Sequence, residues 1–377
     1  MKDKPVATIY GLSTEGYSIA CQIANRGMPV YVVDEATSSA IYLEPEIAMM
    51  YPDVISLRED EPLLRVQPAQ TVVAKSRYLF FAPTIRRPMQ DTKAEILSKF
   101  KDAVTALKKG SVVINNLPAG FGGNMETIEL LEHITGFEAG STVSYYYYPV
   151  SATRRPRVIG SFDERKDATL ADLLADDKPP RRFVNLAASE YLYGMDIVTR
   201  FARIGSAIEV CRLADDDDTI SCLSANLKDL YVDDMANGLY DLRVIKSSVE
   251  GINAISYLMN GAVKGIDGYL KRLVTLIKSV LRRNNLKTSR TRLVLLWTLD
   301  RDSMRGEKME IRQNLANSLR DYVGEIEMLE GAENTLQIDK TTIVIACTRH
   351  DAELVQEDAA DGNLILIKAN PLYEVVQ

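Results

Sequence analysis

Val6-Ala-Thr-Ile-Tyr10, Gly11-Leu-Ser-Thr-Glu-Gly16, a helical run to Arg26-Gly27, then Val30-Tyr-Val-Val-Asp34: this opening decides the fold. It reads as strand, glycine turn, helix, strand and terminal acid, the order of a βαβ dinucleotide-binding unit. A tight turn there aims the free N–H groups of a helix N-terminus at a pyrophosphate, with Gly11, Ser13, Thr14 and Gly16 as the contacting positions. Asp34 lies eighteen residues beyond Gly16, where a carboxylate can accept from a ribose 2′-hydroxyl and so favours NAD over NADP. Ser13 replaces the middle glycine of the pattern, and its side chain is expected to narrow the approach to phosphate. Glu15 brings a negative charge one residue before the last glycine.

Strand and helix patterns continue to alternate. Tyr78–Ala82 is an apolar strand, Thr92–Lys108 a helix stopped by Gly110, and Ser111–Asn115 the next strand. A helix near Asn124–His133 leads to the aromatic strand Thr142–Tyr148 and then to Arg157–Gly160. This alternation predicts a parallel, doubly wound sheet. Tyr145–Tyr148 read as packing residues alternating across that sheet. Lys178–Arg182 is a stiff, charged joint, and helical periodicity runs over Phe183–Leu213 and again over Asp241–Arg283. The acidic run Asp215–Asp218 between them reads as a solvated turn. A second α/β unit follows, with strands at Arg292–Trp297, Thr341–Cys347 and Asn363–Lys368 and a helix at Met309–Tyr322. The expected layout is an α/β Rossmann-like domain over 1–180, a helical domain over 181–288 and a smaller Rossmann-like α/β domain over 289–377.

Composition sets bounds on function. The 377 residues are 46% hydrophobic and 26% charged, ordinary values for a globular protein. No apolar run approaches the roughly 20 residues that span a bilayer. Met1–Pro5 runs straight into the first strand, so a cytoplasmic protein is expected. Cys21, Cys211, Cys222 and Cys347 stand far apart without metal-type spacing, and only two histidines, His133 and His350, are present. No metal site is expected. Cys21 and Cys347 read as buried thiols, and both histidines as surface or helix-end residues. The net charge of −7 disfavours a general nucleic-acid binder. Between Lys271 and Arg292, however, eight basic residues stand without one acid. They are a solvated helix face and linker, or else a surface for a polyanion such as nucleic acid.

Several local stretches in the right order resemble the UDP-glucose/GDP-mannose (nucleotide-sugar) dehydrogenase family. They are Phe81-Ala-Pro-Thr84 with Asp91, Leu107-Lys-Lys-Gly110 with Val112–Gly120, Tyr148-Pro149 with Pro156–Gly160, Leu186–Leu192, and Asp302-Ser-Met-Arg305. The resemblance covers nearly the whole chain. It implies an NAD cofactor, a nucleotide ligand and a homodimer built on the central helix, and it adds Pro83, Thr84 and Asn116 to the cofactor-contacting set. It also implies a reaction: oxidation of a sugar alcohol to an acid through a thiohemiacetal on a cysteine, helped by a lysine, an asparagine and a glutamate. Those positions fall here on Asn237, Met195, Arg200 and Val150. Gly120-Phe-Gly-Gly123 imitates the family's cysteine motif but has no cysteine after it, and Cys222 stands about fifteen residues too early. The family's phenylalanine-lysine pair in the third domain falls on Trp297-Thr298. No catalytic residue can therefore be nominated. Losing one such group commonly costs ~10²–10³ in rate. Three functions stay open: a nucleotide-binding relative without the oxidation, an NAD(P)-dependent oxidoreductase acting on another substrate, and a structural or polyanion-binding protein.

Overall fold

The computed structural model describes residues 5–60, 64–85, 92–151, 155–175, 181–214, 218–219, 221–223, 230–249, 251, 253–287, 291–320, 322–323, 326–331, 341–358 and 364–374. They form two compact units. The first contains the chain to Asp196, together with Arg243–Glu250 and Asp300–Gly306; the second holds Ile197–Leu242, Gly251–Leu299 and the chain from Glu307. Asp91, Lys178–Pro180, Asp215–Asp217, Arg290 and Asn363 lie outside the described residues.

In the first unit β1 (Ala7–Tyr10), α1 (Thr14–Asn25) and β2 (Val30–Asp34) realise the opening pattern. All four β1 residues are buried, as expected for a strand covered on both faces. The chain continues through β3 (Ser39–Leu43), α2 (Pro45–Met50), α3 (Val54–Asp60), β4 (Arg65–Pro68), α4 (Ala69–Val73), β5 (Tyr78–Phe81) and α5 (Thr92–Val104). Next come β6 (Val112–Asn115), α6 (Gly123–Thr135), β7 (Ser144–Tyr147), β8 (Val158–Ser161), α7 (Ala168–Leu174) and β9 (Arg182–Asn185). The nine strands lie in the order β4-β3-β2-β1-β5-β6-β7-β8-β9. From β2 to β7 the pairing is parallel, in keeping with a doubly wound sheet, and the order reverses between β1 and β5. Towards the edges the sheet departs from the parallel expectation: β3 and β4 pair antiparallel, and so do β7 and β8. For β2 and β3 the physical reason is connection length. Four residues join β2 to β3, enough for a hairpin but far too few for a crossover.

Tyr145, Tyr146 and Tyr147 are all buried, together with Tyr148, so both faces of β7 are packed. The Tyr145 hydroxyl donates to Asn124 Oδ1 at 2.7 Å, which satisfies the polar tip inside the core.

α8 (Leu186–Leu213) begins three residues after Phe183, which belongs to strand β9 rather than to the expected helix. In the second unit the periodicity from Asp241 to Arg283 is broken into α10 (Leu239–Ser247), which follows α9 (Val232–Ala236), and α11 (Ala254–Arg283), started by the Asn253 side chain accepting from Ser256 N. Part of the former, Arg243 onward, is grouped with the first unit. β10 (Arg292–Leu296), α12 (Glu307–Arg320), β11 (Ile326–Leu329), β12 (Thr342–Ala346), α13 (Arg349–Asp358) and β13 (Leu364–Lys368) follow, with a short 3-10 turn at Pro371–Glu374. Their strands form a four-stranded, wholly parallel sheet in the order β11-β10-β12-β13. Phe201 and Ile208 on α8 are fully buried, so this stripe is internal core. The exposed apolar residues of α8 are Tyr191, Leu192, Met195, Val210 and Leu213. No described helix is long and apolar enough to cross a membrane.

Gly11 is fixed by sterics. Its φ is +125°, and a Cβ there would lie 2.1 Å from the backbone oxygen of Ala82. Gly11→Ala is therefore expected to destabilise the first unit by about 3 kcal/mol or more, read as a lowered urea midpoint. An unchanged midpoint would mean that the turn relaxes freely.

Candidate functional site

The carboxyl ends of β1, β5 and β6 in the first unit gather the residues that the sequence singles out. This is the edge where an open α/β sheet normally binds ligands, at the point where strand order reverses. Gly11 follows β1, Pro83 and Thr84 follow β5, Asn116 follows β6, and Asp34 ends β2.

Ser13, whose side chain is expected to narrow the approach to phosphate, is the cap of α1. Its Oγ accepts from Gly16 N at 3.0 Å and donates to the Ala82 carbonyl at 3.1 Å. A Cβ on Gly16 would lie 2.7 Å from the Gly11 carbonyl, so that glycine is needed for the first turn of the helix to approach the loop. Asp34 accepts from Ala36 N at 3.0 Å and from the Thr37 hydroxyl at 2.9 Å. It holds the β2–β3 turn, and its carboxylate keeps lone pairs for a ribose hydroxyl. Thr84 donates through both N and Oγ1 to Glu35 Oε2, at 3.1 and 2.6 Å. Asn116 is fully buried; its Nδ2 donates to Tyr148 O at 2.8 Å and its N to Phe81 O at 3.0 Å. Its Oδ1 is buried with no hydrogen-bond partner among the described residues.

The residues from Asp300 to Gly306, far away in sequence, pack against this turn within the same unit. Thr14 N, the first helical donor, gives its hydrogen bond to Asp302 O at 2.8 Å. Glu15 Oε2 accepts from Met304 N at 2.7 Å, and Oε1 lies 3.7 Å from Arg305 Nη1. Both side chains of that pair are only 4% exposed. Arg305 also donates through Nη2 to Val150 O at 2.7 Å, and Met304 O accepts from Ile85 N at 2.7 Å. The Asp302 carboxylate pairs with Arg58. Burial pushes the Glu15 carboxyl above its ordinary range, and Arg305 and the Met304 N–H work against that rise.

This arrangement decides how a dinucleotide meets the turn. A pyrophosphate needs free N–H donors and no competing anion. Here Thr14 N serves a carbonyl, Gly16 N serves the Ser13 hydroxyl, and Glu15 lies between them in sequence. NAD's pyrophosphate does not fit the turn as it stands, whereas the acid that would receive its ribose is in place.

The positions to which the resemblance would assign chemistry lie in varied surroundings. Val150 is buried apolar, and Met195 is exposed on α8. In the second unit Arg200 spends its guanidinium on the carbonyls of Asn237 and Asp234, the latter at 2.8 Å, and so closes the C-terminus of α9. Trp297, at the position of the family's phenylalanine, is fully buried and donates Nε1–H to Asp233 at 2.8 Å. Thr298 donates its hydroxyl to Asp351 at 2.6 Å. Cys21, Cys211 and Cys347 are buried and Cys222 is exposed. Burial pushes the Cys21 thiol up to about 11 and Cys347 well above its usual value, the reverse of an activated thiolate. His133 and His350 are exposed. No group of three or more potential metal ligands occurs among the described residues.

Sequence reasoning missed the Glu15–Arg305 pair. Arg305 stood out in the Asp302-Ser-Met-Arg305 motif and Glu15 as an anomaly in the glycine turn. No periodicity joins residues 290 positions apart, so the two signals stayed separate.

The structural comparisons bear on the scaffold. No protein-family model matches this sequence, and neither does any curated protein. Among solved structures, the UDP-D-ManNAc dehydrogenase of Pyrococcus horikoshii superposes with a TM-score of 0.67 at 15% identity, covering 97% of this chain and 96% of that one. The UDP-glucose dehydrogenase of Pyrobaculum islandicum gives 0.65 at 16% identity, with 99% and 95% covered. The UDP-N-acetyl-mannosamine dehydrogenase of Staphylococcus aureus gives 0.60 at 11%, with 99% and 100% covered. The chain thus has the nucleotide-sugar dehydrogenase fold over its full length.

Ser13→Ala removes the cap and is expected to cost about 1 kcal/mol, measured as a shift in the urea transition. At pH 8 a thiol-alkylating reagent should modify Cys222 first, and the three buried cysteines only in denaturant. Fast labelling of Cys21 in the folded protein would contradict its burial.

Proposed function

We propose that this protein binds a nucleotide, of the NAD or nucleotide-sugar class, at the carboxyl ends of β1, β5 and β6, and does not oxidise it through a thiol. The observation that carries this reading is Asn116 Oδ1. It is a buried acceptor without a partner among the described residues, set on the same Phe81–Ala82 segment that Gly11 packs against. Buried acceptors are nearly always satisfied, so a ligand donor or a bound water completes this one. Gly11, Ser13, Thr14, Gly16, Asp34, Pro83 and Thr84 form the rest of the proposed site, with Asp34 on a ribose. The nucleotide enters as the Asp302–Arg305 segment gives way.

The absence of oxidation rests on chemistry. An alcohol-to-acid conversion by this fold's thiol route needs an activated cysteine and a cation beside it. Asn237 and Met195 supply neither, and Arg200 is committed to backbone carbonyls. The protein is then a cytoplasmic pseudoenzyme that senses or scaffolds a nucleotide, in three domains near 1–180, 181–288 and 289–377. It is a homodimer through the exposed face of α8 around Tyr191, Leu192 and Met195.

Of the basic stretch, Lys271, Arg282, Arg283 and Lys287 are exposed. Lys278 sits over the Tyr322 ring at 3.3 Å, and Arg292 pairs with Glu327. This favours a solvated helix face over a continuous polyanion surface.

A thermal-shift panel of NAD, NADH, UDP-sugars and GDP-sugars tests the reading. At a hundredfold excess over Kd a ligand of the native state adds about 2.7 kcal/mol, so at least one compound should raise the melting temperature by several degrees without NADH appearing at 340 nm. Steady NADH production would establish an oxidoreductase instead, and a flat panel would end the nucleotide reading. Light scattering should give twice the 42.0 kDa chain mass, and Met195→Glu should reduce it to one.

A further inference from the structure

We propose that the glycine turn is self-occluded: Glu15 pins the Asp302–Arg305 segment onto the N-terminus of α1, where it stands in for a ligand's diphosphate. The inference rests on the nucleotide-binding reading above for its ligand, but the clasp itself is built from contacts within one unit. A diphosphate would present oxygens to the first backbone donors of the helix and would attract a cation. Each of these roles is already filled. The Asp302 carbonyl takes Thr14 N at 2.8 Å, and the Glu15 carboxylate supplies the anion that draws Arg305 to 3.7 Å.

The pin is more than one ion pair. Glu15 also takes Met304 N at 2.7 Å, Met304 O takes Ile85 N at 2.7 Å, and Ile85 and Arg305 form a parallel bridge. The segment is therefore held from two sides by backbone bonds, with Glu15 as the side chain that reaches it from the helix. Arg305 Nη2 on Val150 O, at 2.7 Å, fixes the guanidinium so that it faces the carboxylate. Neither side chain of the pair reaches solvent to any extent, so water cannot screen it or replace it cheaply. A nucleotide diphosphate must compete with Glu15 for Arg305 and with Asp302 for Thr14 N–H. Glu15 is thus an affinity-lowering residue for the very site that the turn builds.

Hydrogen–deuterium exchange on the full chain, wild type against Glu15→Gln, tests the clasp without any ligand. Gln keeps the size of the side chain and loses its charge. The amides of Thr14 and Met304 should exchange at least tenfold faster in the variant. Equal protection in the two proteins would overturn the proposal. In parallel, NAD and ADP titrations followed by thermal shift should show at least tenfold tighter apparent binding in Glu15→Gln. Faster exchange with no binding of either compound by either protein would support the clasp and overturn the nucleotide reading instead. Faster exchange with equal, measurable affinities would overturn the competition and hence the proposal. If Glu15→Gln does not fold, Arg305→Lys takes its place. It retains a cation but loses the Val150 bond, and it too should accelerate exchange at Met304; unchanged protection there would sink the clasp.

Discussion

A buried carboxylate at the first turn of a helix sets the terms for the first unit. Glu15 is shielded from water, and an uncompensated charge in that position would cost several kcal/mol. The helix N-terminus, Arg305 and the Met304 amide each offset part of that cost, while burial still holds the carboxyl above its ordinary range. The consequences spread from there. Asp300–Gly306 must lie against α1, Ile85 must pair with it, and Val150 must present its carbonyl to the guanidinium. An α/β turn that resembles an anion cradle has thereby become a joint between distant parts of one chain.

A comparable solution recurs elsewhere, each case within its own unit. The N-terminus of α6 is covered by the Glu190 carboxylate, which accepts from Gly122 N at 2.8 Å and Asn124 N at 3.2 Å. In the second unit the segment at Val232–Asp233 lies over the carboxyl ends of the small sheet, with Asp233 N on Cys347 O and Val232 N on Ala369 O. Asp233 then gathers Trp297 and Lys308. Donors that an enzyme of this fold could direct at ligands are here directed at the chain's own oxygens. That economy keeps buried polar groups satisfied, and it leaves Asn116 Oδ1 conspicuous as an acceptor without a partner among the described residues.

The opening pattern was readable because its cause is local. A buried strand, a glycine at φ +125°, a capped helix and a second strand each follow from nearby residues, and the alternation that continues through β7 fixes the parallel core of the sheet. The edges of the sheet were less legible. β3, β4 and β9 are short strands with part-exposed residues, so their apolar signal is weak. The break between α10 and α11 escaped a periodicity that continues on either side of it.

The site divides in the same way. Sequence alone determined the scaffold, the glycine turn and the acid at its far strand, because each depends on residue type at fixed spacing. Only the tertiary structure decided what occupies the turn. Ser13 proved to be a helix cap, and Glu15 found its counter-ion in Arg305. That pairing costs no local signal at all: two charges remote along the chain are brought together only when the strands between them have folded, and burial then makes their meeting obligatory.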